Sequence, residues 1–139
     1  DNKLIAHKDW GVEIVRWKYD HYRNKIEESN HGKQNELKED KSGIAFTKWK
    51  YDTRRNLIEK QFFGVDMKLK KDKDIGCAIL KWNYDENGNK IELRYLDENE
   101  KLINRLDENY AIIQWKYDEY GKHTKTVYLD KNEKIMEID

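Results

Sequence analysis

Aromatic side chains at a fixed spacing are the first candidates for chemistry in this 139-residue chain. The tetrad Trp-Lys-Tyr-Asp, with Asn for Lys in its third copy, occupies residues 17–20, 49–52, 82–85 and 115–118. Exposed Trp and Tyr rings can stack on sugars or surround a quaternary ammonium group. Identical apolar positions in a repeat are more often shared core. The residues predicted to form a structural repeat core are Trp17, Trp49, Trp82, Trp115, Tyr19, Tyr51, Tyr84 and Tyr117.

A lysine-rich run is the second candidate site. Residues 44–73 carry nine Lys/Arg and four Asp/Glu, whereas residues 85–109 carry four Lys/Arg and eight Asp/Glu. The most concentrated part of the positive region comprises Lys68, Lys70, Lys71 and Lys73. This patch is predicted to meet an acidic protein or polysaccharide. The competing interpretation is a solvated strand edge, because lysines on such edges prevent aggregation.

Residues suited to catalysis or metal binding do not form a recognisable pattern. The four histidines lie at different repeat positions, and no Cys/His pair has zinc spacing. Asp85, Asn87 and Asn89 resemble a calcium loop, but an EF-hand needs Gly sixth, whereas Gly88 is fourth. Cys77 is predicted to be a small buried hydrophobe. We therefore expect no catalytic residue, no metal, no cofactor and no enzyme activity.

Composition narrows the function classes further. Charged residues make up 40% of the chain and mean hydropathy is −1.18, but 5 Trp, 9 Tyr and 3 Phe argue against disorder. Lys+Arg and Asp+Glu are both 28, so no overall basic field exists to hold nucleic acid or an anionic membrane. No apolar run approaches the roughly 20 residues of a membrane-spanning helix.

A repeat of 32, 33 and 33 residues organises the chain. Three further columns stay in register with the tetrads: Gly11, Gly43, Gly76 and Asn109; Ile26, Ile58 and Ile91; Leu37, Leu69, Leu102 and Ile135. The predicted units are 11–42, 43–75, 76–108 and 109–139, within one array over 1–139, and residues 1–10 are interpreted as the tail of a preceding unit. Open ends predict a segment of a longer protein, with edge or end-to-end self-association.

Alternation along each tetrad predicts β-strands. The residues predicted to share one strand face are Ala78, Leu80, Trp82 and Tyr84, and those predicted to share the other are Cys77, Ile79, Lys81 and Asn83. The predicted fold is all-β, with tandem repeats forming an antiparallel β-meander or a solenoid-like array. The pattern leaves open whether each unit has two strands or three, and whether the sheet is open, coiled or closed.

Turn residues predict where the hairpins reverse. Gly88 and Gly121 stand where a type I turn followed by a left-handed residue closes a short hairpin. Arg23 and Arg55 occupy that column in the first two units, which predicts a different turn, because a left-handed non-Gly residue costs about 1 kcal/mol. Asn109 is expected to take a positive φ in the column of Gly76.

The motif resembles a known repeat family. The sequence Tyr-Asp-Glu-Asn-Gly-Asn at 84–89 is similar to the hallmark of YD-repeat (RHS-like) arrays. That resemblance implies repeated β-hairpins in an exported bacterial protein with a scaffold or binding role. Residues 94–99 and 127–132 also look like the hairpins of choline- or glucan-binding wall repeats.

These observations predict a non-enzymatic repeat module of a bacterial surface or secreted protein. Its role is an adhesin-like protein-binding surface or a scaffold, its partner is another protein, and its location is extracellular or the cell envelope. The alternative function is binding of a carbohydrate or cell-wall ligand by exposed Trp and Tyr side chains.

Overall fold

In the part of the chain that the structure describes, ten β-strands form one antiparallel sheet. The computed structural model describes the backbone of residues 2–5 and all of residues 10–139. The strands are β1 (Asn2–Ile5), β2 (Ile14–Tyr19), β3 (Lys25–His31), β4 (Phe46–Tyr51), β5 (Leu57–Phe63), β6 (Ile79–Tyr84), β7 (Lys90–Leu96), β8 (Ile112–Tyr117), β9 (His123–Leu129) and β10 (Ile135–Ile138). Their order in the sheet is their order in the chain. The prediction of an all-β antiparallel meander is therefore confirmed.

Four hairpins make up most of the sheet. Their first strands, β2, β4, β6 and β8, begin at residues 14, 46, 79 and 112, so successive hairpins start 32, 33 and 33 residues apart. Within a hairpin the strands pair over six positions, whereas each return strand pairs with the next hairpin over three. Each hairpin has a tip end, at 20–24, 52–56, 85–89 or 118–122. The opposite end, where the chain passes to the next hairpin, is the loop end.

The segment after each return strand contributes one bridged residue in three of the four units. Leu37, Leu69 and Leu102 each form an isolated bridge, to His31, Phe63 and Leu96 respectively. The described units therefore contain two strands and a bridged connection. In the last unit this segment extends into β10, which begins at Ile135. The division into units at 11–42, 43–75, 76–108 and 109–139 stays a prediction.

The core lies at the loop-end half of the sheet, on both of its faces. The first strands are buried there because both of their faces carry apolar residues, as the sequence predicts. On the Trp-bearing face the buried cluster comprises Ile44, Phe62, Cys77, Leu80 and Tyr95. On the opposite face it comprises Ala78, Ile79 and Leu96, with Leu69 and Leu102 packed against it. Toward the tips, charged side chains replace the apolar ones on the face opposite the Trp residues.

Two sequence expectations about backbone conformation are wrong. Arg23 and Arg55 have φ values of 69° and 67°, in the same left-handed region as Gly88 and Gly121 at 84° and 82°. The same turn therefore closes all four hairpins. Asn109 does not take a positive φ; Asp107, two residues earlier, takes 65° instead.

Candidate functional site

The Asp of each tetrad builds the hairpin turn from its own carboxylate. Asp52 Oδ1 accepts the backbone N–H groups of Arg54 and Asn56, both at 2.9 Å, and its Oδ2 accepts the Asn56 side-chain amide at 3.2 Å. Asp20 and Asp85 make the same three bonds, and Asp118 makes the two backbone bonds. This network explains how arginines tolerate the left-handed position, because side-chain bonds stabilise the turn around them.

The carboxylates of these turns link stability to pH. The backbone N–H of Asn56 lowers the pKa of Asp52 below its usual 3.8, and that of Asn89 lowers the pKa of Asp85. A group with a lowered folded-state pKa stabilises the fold above its unfolded pKa and loses that contribution as pH falls through the folded value. We expect the urea midpoint to fall as pH drops from about 5 to about 2.

Replacing Asp52 with asparagine tests this assignment. Asparagine keeps an acceptor oxygen but does not titrate, so Asp52→Asn should flatten the acid limb of the midpoint-against-pH curve. Asp107→Asn is the matched control, because this exposed carboxylate accepts no hydrogen bond from a described residue. Equal flattening in both variants would contradict the assignment.

The Tyr of the second, third and fourth tetrads fastens its hairpin to the preceding one. The hydroxyl of Tyr51 donates to the carbonyl oxygen of Lys25 at 2.8 Å, and that of Tyr84 donates to Leu57 at 2.7 Å. Tyr117 donates to Lys90 at 2.6 Å. Partial burial raises the pKa of Tyr51 and of Tyr84, which keeps these hydroxyls protonated as donors. The motif tyrosine is therefore a connection between neighbouring hairpins.

Removing these hydroxyls should weaken the junctions. Each of the substitutions Tyr51→Phe, Tyr84→Phe and Tyr117→Phe is expected to cost about 0.5–1.5 kcal/mol of unfolding free energy, the usual net value of one hydrogen bond. Urea denaturation measures the loss. Tyr120→Phe is the control, because this side chain is 87% exposed. Losses no larger than that of the control would show that the bonds do not join the hairpins.

The loop end joins hairpins by a second set of bonds. Three carbonyl oxygens, each directly before a Gly of the repeat column, accept a backbone N–H from the following connection. The pairs are Lys41 to Trp10 at 3.3 Å, Lys73 to Ser42 at 3.0 Å and Leu106 to Ile75 at 2.8 Å. The next connection therefore crosses directly over the Gly. At Gly76 an added Cβ would lie 2.9 Å from Leu106 Cβ, so this column requires close approach as well as positive φ.

The four tetrad Trp side chains are half-buried, and the rings of three of them face amino groups of the same protein. Lys25 Nζ lies 5.1 Å from the Trp17 ring centroid and 5.3 Å from that of Trp49. Lys60 Nζ lies 5.4 Å from the Trp49 centroid, and burial lowers its pKa. Trp82 packs against the core cluster and has Lys90 at 5.9 Å. Lysine amino groups of the chain itself therefore lie over these rings, where the ammonium group of a choline-like ligand would lie. The assignment of these Trp and Tyr side chains as repeat core stays a prediction.

The predicted lysine patch lies in the connection between β5 and β6. Lys70 pairs with Glu39 at 2.7 Å, and Lys71 lies 3.7 Å from Glu98. Lys68 and Lys73 are exposed. Carboxylates from neighbouring units thus compensate two of the four charges. Binding by this patch stays a prediction.

An open groove of about 650 Å³ lies mainly over β2, β3 and β4; most of its lining belongs to the strand face opposite the Trp rings, and Trp17 also contributes to the lining. We call it the Ser29 groove, defined by Arg16, Ser29, His31, Leu37, Phe46 and Met67. The strand registers place Ser29 directly opposite Arg16 on one side and Phe46 on the other. This groove could not be predicted from the sequence, because strand periodicity does not determine which strands pair or in which register. The only sequence signal is the polar stretch at 27–30.

The described residues contain no group of three or more His, Cys, Asp or Glu side chains that could hold a metal ion. His31 lies in the groove, with its two ring nitrogens hydrogen-bonded to Ser29 Oγ and the Asn35 carbonyl oxygen. Burial raises the pKa of Cys77 to about 12. That thiol is fully buried and protonated, as expected of a core residue. His7 lies outside the described residues.

Comparison with solved structures identifies a shared fold. A chain in the crystal structure of TcdB2-TccC3-TEV matches with a TM-score of 0.53 and 16% sequence identity, over 82% of this chain and 5% of that chain. At this identity the match shows the fold alone. No family model matches the chain, and no curated protein does. A helix able to span a bilayer is not found among the described residues.

Proposed function

We propose that this chain is a non-enzymatic repeat module of a bacterial surface or secreted protein, serving as a scaffold that presents a protein-binding surface. One observation carries the proposal: successive hairpins are hydrogen-bonded at both ends as well as through their strands. The motif residues are thereby used to build one continuous sheet. Such a sheet holds surface side chains at fixed separations, which is what a scaffold requires.

Two independent similarities support this proposal. The Tyr-Asp motif resembles YD-repeat arrays, which implies an exported bacterial protein. The fold match covers 5% of a much longer chain, so a sheet of this kind also occurs as a small part of a large protein. An extracellular or envelope location and a protein partner are part of the same proposal.

The carbohydrate alternative receives less support from the geometry. A sugar or choline site needs a free ring face, whereas Lys25, Lys60 and Lys90 already lie over the rings of three tetrad tryptophans. Titration with choline or with cell-wall oligosaccharides should leave Trp fluorescence unchanged. A saturable change would favour the alternative function.

Protein binding is tested in two steps. The biotinylated chain is exposed to fractionated envelope and secreted proteins, retained proteins are identified, and each is then purified and titrated by isothermal calorimetry. The proposal predicts a saturable complex with at least one purified partner. If no purified candidate binds, or if the chain converts a candidate into a product, the proposal fails.

A further inference from the structure

The Ser29 groove lies where the repeat loses its regularity. The fifth residue of each return strand is, in successive hairpins, Ser29, Gln61, Arg94 and Val127. The first hairpin therefore has the smallest side chain at this position. Because Ser29 lies between Arg16 and Phe46 across three paired strands, its small side chain leaves space between the guanidinium and the ring. A small residue at this position distinguishes the first hairpin from the other three.

One exposed apolar side chain of a neighbouring turn, that of Met67, borders the same groove. Four equivalent turns follow the return strands, at 32–36, 64–68, 97–101 and 130–134. Three of these turns carry only polar or charged residues at their second and fourth positions. The turn at 64–68 instead carries Val65 and Met67, whose side chains are 50% and 45% exposed. Met67 also has a φ of 60°, a left-handed conformation that is unfavourable for a residue with a side chain. The other three turns hold a polar or charged residue at the same left-handed position, so an apolar side chain there is particular to Met67.

The groove also carries positive charge without a carboxylate partner. Lys18 and Glu27 compensate each other at 3.6 Å. Arg16 donates through Nε to the Asn35 side-chain oxygen at 2.9 Å, and no carboxylate of a described residue lies within 4 Å of its guanidinium. Lys48 Nζ lies 6.0 Å from the ring centroids of both Phe46 and Phe63. Arg16 therefore lines the groove, and Lys48 lies beside it, next to the Phe46 ring and across from Glu27 of β3.

We propose that the Ser29 groove binds an extended acidic segment of a partner protein, with one bulky apolar side chain between carboxylates. The apolar side chain packs against Leu37, Phe46 and Met67, and the carboxylates meet Arg16 and Lys48. Aromatic residues, Met and Arg are the side chains enriched in protein interfaces, and the groove volume suits one large side chain with its neighbours. This inference rests on the proposed protein-binding function and names its site and partner chemistry.

The test uses short peptides of defined sequence. The ¹⁵N-labelled chain is titrated with acetyl-Asp-Asp-Phe-Asp-Asp-amide while amide chemical shifts are recorded. Two matched peptides replace the Phe with Ala, or all four Asp with Lys. We expect saturable shifts at Arg16, Ser29, Phe46 and Met67 with the first peptide only, and affinity that falls at least about tenfold between about 0.05 M and 0.5 M salt.

Two glycine variants separate binding from folding. Met67→Gly removes the side chain that forms the wall of the groove, and glycine adopts the positive φ without a steric cost. The fold is therefore retained, while peptide affinity falls about tenfold or more. Glu100→Gly makes the same backbone change in the equivalent turn, where φ is 63°, and should bind like the unmodified chain. Arg16→Gln should weaken binding and reduce its salt dependence.

Several outcomes would overturn the inference. These are equal binding of all three peptides, shifts away from the groove, full affinity in Met67→Gly, or no binding at millimolar peptide. Equal binding of phenylacetate at the same residues would assign the groove to small apolar anions instead. A purified protein partner that still binds when the peptides fail would leave the proposed function standing and remove only this site.

Discussion

Replacing Gly76 with alanine is expected to destabilise the protein by about 2–5 kcal/mol, the sum of two costs. The first is the left-handed backbone, since φ is +83° and a Cβ there costs about 1–2 kcal/mol. The second is steric, because the new Cβ would lie 2.9 Å from Leu106 Cβ and 3.2 Å from its backbone nitrogen. That nitrogen donates the bond to Ile75 that joins two units. Urea denaturation measures the loss.

Gly88→Ala and Gly121→Ala are matched controls for the backbone cost alone. Their φ values, +84° and +82°, equal that of Gly76, but an added Cβ would meet nothing within 4 Å. We expect each to cost about 1–2 kcal/mol, clearly less than Gly76→Ala. If all three substitutions cost the same, the close approach at the loop end does not contribute.

Replacing Ile79 with alanine is the second large effect, with an expected loss of about 2–5 kcal/mol. Ile79 is fully buried on the face opposite the Trp rings, in a cluster with Ala78 and Leu96. Its removal loses apolar burial and leaves a cavity that a sheet packed under Leu69 and Leu102 fills only in part. The free energy of unfolding, from urea denaturation, reports the change.

Ile138→Ala is the matched control for this core substitution. Ile138 lies in β10 and is 51% exposed, so the same truncation should cost less than about 1 kcal/mol. Equal losses at the two positions would mean that the loop-end half of the sheet is not the core. A local cavity lowers the urea midpoint and leaves unchanged the slope of unfolding free energy against urea concentration. A smaller slope with an unchanged midpoint would therefore also contradict this explanation.

Much of the fold follows from local sequence patterns. Period-two alternation located the tetrad strands, and Gly88 and Gly121 located two turns, because both signals depend on neighbouring residues only. The expectation for Arg23 and Arg55 failed because it considered backbone cost alone. The Asp and Asn side chains of the same turns supply hydrogen bonds that offset that cost. The expectation of a positive φ at Asn109 is wrong because the last connection takes its left-handed residue two positions earlier, at Asp107.

The features between hairpins could not be predicted in the same way. The Tyr51 hydroxyl reaches a carbonyl 26 residues earlier, and the Ser29 groove depends on three strands lying side by side in one register. Alternation gives the face of a side chain but not its neighbour across the sheet. The compensation of Lys70 by Glu39, 31 residues away, was missed for the same reason.

We conclude that the hairpins form one continuous sheet, and amide hydrogen exchange provides a direct test of that claim. Within hairpins, the amides of Ala45, Ala78 and Ala111 donate to the return strands at 2.8–2.9 Å. Between hairpins, the donors are the amides of Asn30, Phe62 and Tyr95, also at 2.8–2.9 Å. A continuous sheet predicts similar, slow exchange for both sets of amides. Slow exchange within hairpins together with fast exchange at residues 30, 62 and 95 would contradict the claim.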